Sequence, residues 1–111
     1  RDKTLRISTM GRTFLDMLRN PELCGGIHHV LEVYEESAKT YQRLIVDEID
    51  RHGAPIDKVR AGYILSEKLQ IQDEVVETWV KFAQRGGSRK LDAAGEYIAE
   101  WSDKWCLSLN V

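Results

Sequence analysis

Two groups of residues in this sequence have types and spacing that could do chemistry. In the first, Cys24 lies shortly before His28 and His29, where a thiol and an imidazole could bind one metal ion or form a nucleophile–base pair. The pair Gly25-Gly26 breaks any helix between them, and no second ligand cluster completes a closed site. We therefore expect a buried cysteine and solvent-facing histidines, with no bound metal, no cofactor and no catalytic residue.

The second group is the basic stretch over residues 86–90, Gly-Gly-Ser-Arg-Lys. It combines flexible backbone, a hydroxyl and two cations, which could bind a phosphate or the carboxylates of a partner. We predict that Ser88, Arg89 and Lys90 contact a partner or nucleic acid, with Arg12 as a more distant candidate. The alternative is a solvated turn at the end of a helix.

Composition places the chain among soluble, folded domains. It has 111 residues, 42% of them hydrophobic and 31% charged, which suits one globular domain and is too apolar for a disordered segment. The net charge of −2 excludes a strongly basic nucleic-acid-binding domain. No apolar run is long enough for a membrane span, and two cysteines suit a reducing compartment, so we predict a cytoplasmic protein.

Charge is uneven along the chain. Residues 1–20 carry five cations against two carboxylates, whereas residues 21–53 carry seven carboxylates against three cations. Such segregation could orient a charged partner, although solvated helix faces would give the same pattern.

The elements that position these groups are mostly helices. Alternation over residues 4–8 predicts a short strand, and Thr9 can cap a helix that ends near Asn20-Pro21. A short turn through Leu23 follows. Apolar spacing then predicts four more helices: one with Ile27, Val30, Leu31 and Tyr34 inward, one over 41–52 with Tyr41, Leu44, Ile45 and Ile49 inward, one over 55–69, and one capped by Asp73 and ended by Gly86-Gly87.

The C-terminal part is less regular. Residues 93–101 form a short helix or an irregular turn, and the alternation over 105–111 predicts a strand. We expect Trp79 and Trp105 in the core, and a close neighbouring helix at Gly62. The fold class is a predominantly helical α+β domain, with about five helices and short strands near both ends. The first and last strands either pair or join a sheet completed by other sequence.

Four segments together resemble a known family. These are Ser-Thr-Met-Gly-Arg-Thr-Phe-Leu-Asp at 8–16, Arg-Asn-Pro-Glu-Leu-Cys-Gly-Gly-Ile at 19–27, Arg-Ala-Gly-Tyr-Ile-Leu at 60–65, and Gly-Ser-Arg-Lys-Leu-Asp at 87–92 followed by Trp-Cys-Leu-Ser-Leu-Asn-Val at 105–111. In this order they are similar to the type IV antitoxins of the abortive-infection E (AbiE) systems. The chain departs from the pattern at Met10-Gly11, where the family usually has Pro-Glu, and over 93–101, which lacks the usual prolines.

The resemblance implies a non-enzymatic C-terminal antitoxin domain, residues 1–111, that counteracts a nucleotidyltransferase-like toxin without a stable complex. In that family a winged-helix domain precedes it and represses the operon by binding promoter DNA, so the chain is expected to be a fragment lacking that domain. The alternative is a protein-interaction or dimerisation module of an unrelated transcription regulator, using Trp101 and the acidic 32–50 helices. A homodimer is one assembly that the sequence allows.

Overall fold

A computed structural model describes residues 2–83 and 89–111, with side chains from Met10 onward. Over these residues the chain forms five α-helices and a small antiparallel sheet near the C-terminus, which confirms the predominantly helical α+β class. None of the described helices has the length and apolar character needed to cross a membrane. The elements are α1 (Asp2–Arg19), α2 (Ile27–Ser37), α3 (Gln42–His52), α4 (Pro55–Gly62), α5 (Glu74–Thr78), β1 (Trp101–Ser102) and β2 (Leu107–Ser108).

The first helix begins earlier than the sequence pattern predicts. Helix α1 starts at Asp2, so the predicted strand over 4–8 is wrong, and Thr9 lies inside the helix. The alternation rested on two apolar residues, Leu5 and Ile7, which is too short to separate a strand from a helix. A strand also needs a partner, and the two named strands of the described residues pair with each other. Of the two alternatives for the terminal strands, the pairing of the first with the last is therefore wrong as well.

Helices α1 and α3 pack closely at Gly11. A Cβ atom there would lie 2.6 Å from the Leu44 carbonyl oxygen and 2.8 Å from Cβ of Glu48. Any larger side chain would push the two helices apart, because both neighbours belong to or adjoin the backbone of α3. This contact explains why glycine occupies the position at which the chain departs from the antitoxin pattern.

The middle of the chain follows its predicted organisation. Helix α1 ends at Arg19, a 3₁₀ turn covers Pro21–Cys24, and α2 begins at Ile27 after the glycine pair. The predicted inner stripe of α2 is buried. In α3, however, Leu44 is only half-buried while Val46 is buried.

Beyond α4 the chain continues as a π-helix over Tyr63–Lys68, within the predicted helix. The close neighbour of Gly62 is the indole ring of Trp105 rather than another helix. Ser66 Oγ donates a hydrogen bond to the Gly62 carbonyl (2.7 Å) and accepts one from Trp105 Nε1 (3.1 Å). These contacts attach the C-terminal segment to α4.

Helix α5 begins at the predicted cap. Oδ1 of Asp73 accepts hydrogen bonds from the backbone N–H groups of Val75 (2.9 Å) and Val76 (3.2 Å). The helix ends at Thr78, and a 3₁₀ turn over Trp79–Phe82 follows. Helical structure therefore stops before the predicted terminator Gly86-Gly87, which lies outside the described residues.

The C-terminal segment, residues 89–111, wraps back onto the helices. Residues 93–101 form the irregular turn rather than the short helix, and β2 pairs with β1 on one side and with Lys90 on the other. The strand predicted over 105–111 is reduced to Leu107–Ser108. Cys106 has a left-handed φ of 54°, which interrupts extended structure before β2.

One hydrophobic core joins the helices to this segment. Trp79 and Trp105 are both fully buried in it, as predicted. The largest fully buried side chains are Trp79, Trp105, Tyr34, Phe14, Leu15, Ile45, Ile49, Ile64, Leu65, Leu91, Leu107 and Val30.

Candidate functional site

The sequence-predicted site residues lie at two separate places, and Ser88 falls outside the described residues. Arg89 and Lys90 run alongside β2, where the Arg89 carbonyl accepts from the N–H of Ser108 (2.9 Å). Arg89 Nη1 donates to the Phe82 carbonyl (2.6 Å), and Lys90 Nζ donates to the Gly95 carbonyl (2.7 Å). Both side chains are half-buried and held by backbone acceptors.

Arg12 belongs to a different surface. Its exposed guanidinium forms ion pairs with Asp16 on α1 (3.3 Å) and with Glu48 on α3 (3.9 Å). Its charge is thus shared with carboxylates of the helices on which it lies, in contrast to Arg89 and Lys90.

Two further cations lie over the ring of Phe82. Lys58 Nζ is 4.9 Å from the ring centroid and Lys81 Nζ is 5.2 Å from it. An ammonium within about 6 Å of an aromatic centroid is attracted by the negative face of the ring. Phe82 therefore brings a lysine of α4 and its own neighbour Lys81 to the place where Arg89 is bonded.

Arg60 connects this group to Lys90. Its Nε donates to the Lys90 carbonyl at 2.7 Å, across the packing of α4 against the C-terminal segment. Burial lowers the pKa of Arg60; Asp57 and Asp92 oppose this shift by raising it, and Arg89 makes a smaller contribution that lowers it. We refer to Lys58, Arg60, Lys81, Arg89 and Lys90 as the basic cluster.

The basic cluster lacks close counter-charges among the residues that the structure describes. No described carboxylate lies within 4.0 Å of any of its five charged groups, whereas Arg12, Arg19 and Lys104 each have such a partner. Asp57 and Asp92 act on Arg60 from a greater distance, but no described carboxylate pairs directly with the cations, which therefore repel one another, and a bound anion would relieve that repulsion. The arrangement is suited to binding a phosphate-bearing or otherwise anionic partner.

Sequence reasoning singled out Arg89 and Lys90 but missed the three other members. Lys58 and Arg60 read as ordinary polar positions of a helix, and Lys81 follows an apolar stripe. Only the packing of α4 against the 3₁₀ turn Trp79–Phe82 brings them together. The sequence offers no local signal for that contact.

The other sequence candidate does not assemble into a site. Cys24 is half-buried at the end of its 3₁₀ turn, and His28 and His29 are exposed in the first turn of α2. Across the described part of the chain, no group of three histidine, cysteine or acidic side chains is arranged to hold a metal ion.

An open groove of about 640 Å³ lies between the π-helix, α5 and the turn that carries Lys104. Most of its charged groups are partnered: Glu77 pairs with Lys104 at 2.9 Å, and Asp73 caps α5 and accepts from Gln42 Nε2 at 2.7 Å, while Glu74 lines the groove without a described ion pair. It offers no group of unpaired charges comparable to the basic cluster.

No family model, curated protein or solved structure matches the chain.

Proposed function

We propose that this chain is the non-enzymatic regulatory domain of a type IV, AbiE-type antitoxin, and that the basic cluster is its contact with nucleic acid. The domain counteracts a nucleotidyltransferase-like toxin in a phage abortive-infection system. The observation that carries the nucleic-acid contact is the basic cluster itself, five cations without close described carboxylates in a chain whose net charge is −2.

Contacts between the motif segments support the family proposal. The segment at 60–65 meets the final segment where Gly62 packs against the Trp105 ring. The 87–92 segment is tied to the final one by hydrogen bonds from Asp92 N to Asn110 Oδ1 (2.8 Å) and from Asn110 Nδ2 back to the Asp92 carbonyl (3.1 Å). These contacts join the segment at 60–65 and the end of the 87–92 segment to the final segment, as expected if they belong to one domain.

The remaining parts of the proposal follow the same resemblance. A winged-helix domain of the full-length protein would bind promoter DNA, and the protein would act in the cytoplasm. The toxin would be opposed functionally rather than through a stable complex. In this arrangement the basic cluster adds sequence-independent affinity for the phosphate backbone, while base reading belongs to the winged helix.

The test starts from the reading frame beside this gene, which the proposal expects to encode a nucleotidyltransferase-like toxin, and measures rescue of growth from that toxin. The full-length antitoxin is co-expressed with the toxin, as wild type, with residues 1–111 deleted, or with Arg89→Ala/Lys90→Ala. We expect the deletion to abolish rescue. Rescue by the winged helix alone would refute the assignment of antitoxicity to this domain.

A matched control separates the basic cluster from net charge. Lys39→Ala/Arg43→Ala removes the same two charges from a different surface, beside Asp47. Promoter binding by the full-length protein should weaken with Arg89→Ala/Lys90→Ala and stay near wild type with the control. Equal affinity for all three proteins would leave the cluster without a role in DNA binding.

A second candidate function is a dimerisation or protein-interaction module. It is favoured by apolar exposure in the C-terminal segment, where Tyr97 is 51% and Ile98 37% exposed. The Tyr97 ring lies 6.1 Å from that of half-buried Trp101. Light scattering of the chain at high concentration tests the dimer, and a strictly monomeric protein would rule it out.

A further inference from the structure

Phe82 contacts three cations of the basic cluster through two different parts of the residue. The ring faces the ammonium groups of Lys58 and Lys81, and the carbonyl oxygen accepts from Arg89 Nη1. Lys58 comes from α4, Lys81 from the 3₁₀ turn and Arg89 from the C-terminal segment. Phe82 therefore contacts like charges from three parts of the fold, two of them through its half-buried ring and the third through its backbone carbonyl.

We propose that Phe82 is the positioning residue of a phosphate-binding site formed by Lys58, Lys81 and Arg89, and that its ligand is the phosphate backbone of a nucleic acid. The inference rests on the proposed nucleic-acid contact and adds which residues form the site and which residue organises it. Phe82 acts through the lysines and the arginine, not by touching the ligand.

The electrostatics of the site favour an anion between these groups. Three neighbouring cations repel one another, and the ring quadrupole and one carbonyl offset only part of that repulsion. No described carboxylate lies within 4.0 Å of the charged groups of these three cations, although the chain contains 18 acidic residues. A phosphate group supplies the missing charge, and the Arg89 guanidinium retains donors beyond the one bonded to Phe82.

The extent of the charge favours nucleic acid over an acidic peptide. Arg60 and Lys90, both half-buried, add two more cations next to Arg89, since Lys90 follows it in the chain and its carbonyl accepts from Arg60 Nε. A duplex presents one phosphate charge per about 1.7 Å of its axis, so adjoining cations meet adjoining phosphates. Lysine ammonium groups act as point charges that suit such a backbone and need no planar, two-point geometry.

The decisive variant is Phe82→Leu, which keeps an apolar side chain and all cations but removes the aromatic ring. Binding of the 111-residue chain to a short fluorescein-labelled duplex of arbitrary sequence is measured by anisotropy over a range of salt concentrations. We expect Phe82→Leu to bind about fivefold more weakly, because the lysine ammonium groups lose their cation–π contact with the ring. The slope of log affinity against log salt should not change, because no cation is removed. Phe82→Tyr, which restores the ring, should bind like wild type.

Removing the charges should give a different signature. Lys58→Ala/Lys81→Ala should weaken binding and also reduce the salt slope by about 2, since two fewer counterions are released. The control Lys39→Ala/Arg43→Ala should change neither affinity nor slope appreciably. A reduced slope for Phe82→Leu, or an affinity equal to wild type, would overturn the positioning role.

Two further measurements test the phosphate site without relying on the Phe82→Leu protein. If Phe82→Leu fails to fold by circular dichroism, titration of wild type with inorganic phosphate decides, with side-chain NMR signals of Lys58 and Lys81 expected to shift and that of Lys39 not. Absence of that selectivity refutes the site. Equal binding of a polyglutamate peptide would refute nucleic acid as the ligand.

The result is separable from the proposed antitoxin function. If the wild-type full-length protein does not rescue cells from the toxin while the 111-residue chain still binds the duplex, the antitoxin assignment alone is contradicted. Normal rescue together with wild-type duplex binding by Phe82→Leu and Lys58→Ala/Lys81→Ala would contradict the phosphate site alone.

Discussion

Asp57 is a buried carboxylate whose charge is balanced by one specific partner. It is 2% exposed, and its Oδ2 accepts from Arg19 Nε (3.0 Å) and from the N–H of Ala54 (2.8 Å). Arg19 also donates to the His52 carbonyl (3.1 Å), so the pair joins the end of α1 to the connection between α3 and α4. A buried ion pair costs desolvation to form, but removing one charge leaves the other uncompensated.

We predict that Asp57→Asn lowers the free energy of unfolding by about 2 kcal/mol, measured by urea titration. The value lies below the range for fully buried pairs because the Arg19 side chain is 33% exposed. Asp16→Asn is the matched control. Asp16 pairs with Arg12 at a surface where both side chains are about half exposed, so its loss should cost less than about 0.5 kcal/mol. Equal costs for both variants would contradict the special role of the buried pair.

Tyr34 makes stability depend on pH in the alkaline range. Its hydroxyl donates to the Phe14 carbonyl at 2.7 Å, and burial raises its pKa well above the ordinary value, with a smaller contribution from Asp57. The neutral form is thus favoured in the folded state. Its contribution to stability is fully present below the unfolded pKa of about 10 and is lost as pH rises from there towards the folded pKa.

We therefore expect unfolding free energy to fall above about pH 10, by up to about 1.4 kcal/mol per pH unit for this group. Burial also raises the pKa of Tyr63, with Glu67 as the second cause, so its contribution declines in the same direction. Tyr34→Phe should be less stable than wild type at neutral pH, because the Phe14 carbonyl loses its hydrogen-bond donor. Above pH 10 its free energy of unfolding should fall less steeply with pH than that of wild type. An equal alkaline slope in both proteins would exclude Tyr34 as a source of the dependence.

At the scale of elements, the packing of the C-terminal segment against α4 and the π-helix requires that residue 62 have no side chain. A Cβ atom on Gly62 would overlap the six-membered ring of Trp105. The sequence indicated a close neighbour at Gly62 but could not show that it would be a tryptophan of the last segment. The glycine therefore costs helix propensity in α4 and permits the indole to pack against it.

We predict that Gly62→Ala destabilises the domain by about 2 kcal/mol, since overpacking outweighs a propensity gain of about 1 kcal/mol. The same substitution in a Trp105→Phe background should cost less, because a phenyl ring does not reach as far. Urea titration of the four proteins gives the coupling energy between the two positions. Additive costs would show that the indole and the glycine do not constrain each other.

How much of these elements could be predicted depends on the length of each pattern. The buried stripe of α2 and the cap at Asp73 followed from residues within one or two turns, and both are confirmed. The strand over 4–8 is wrong, because two alternating apolar residues fit a helix equally well. The strand over 105–111 is shortened by the left-handed backbone of Cys106, a conformation that the alternation of side chains cannot reveal.

Part of the candidate site could be predicted from the sequence and part could not. Arg89 and Lys90 were visible because they are adjacent in sequence and basic, and their contact with nucleic acid stays a prediction. Lys58 and Lys81 lie near Arg89 because the ammonium groups of both lysines pack over the ring of Phe82. A cluster assembled from three parts of the chain has no period or spacing, so tertiary packing had to be known first.

At the scale of the whole molecule, the C-terminal segment belongs to the same core as the helices. Leu91, Trp105 and Leu107 are buried in one cluster with residues of α1 to α5. The basic cluster spans the same boundary, since Arg60 of α4 donates to the Lys90 carbonyl. The basic cluster is therefore formed only while the C-terminal segment is packed against the helices.

We predict a single cooperative unfolding transition in urea, with an m-value of about 1–3 kcal/mol per molar denaturant, as for a small two-state domain. Tryptophan fluorescence reports the 3₁₀ turn after α5 and the C-terminal segment, because the three tryptophans are Trp79, Trp101 and Trp105. Far-UV circular dichroism reports the helices. The two midpoints should coincide, and addition of duplex DNA should raise both together, since a ligand that binds the folded state alone stabilises every part of one cooperative unit. If fluorescence changes at lower urea than circular dichroism, the segment unfolds on its own, and the basic cluster would then be lost before the helices.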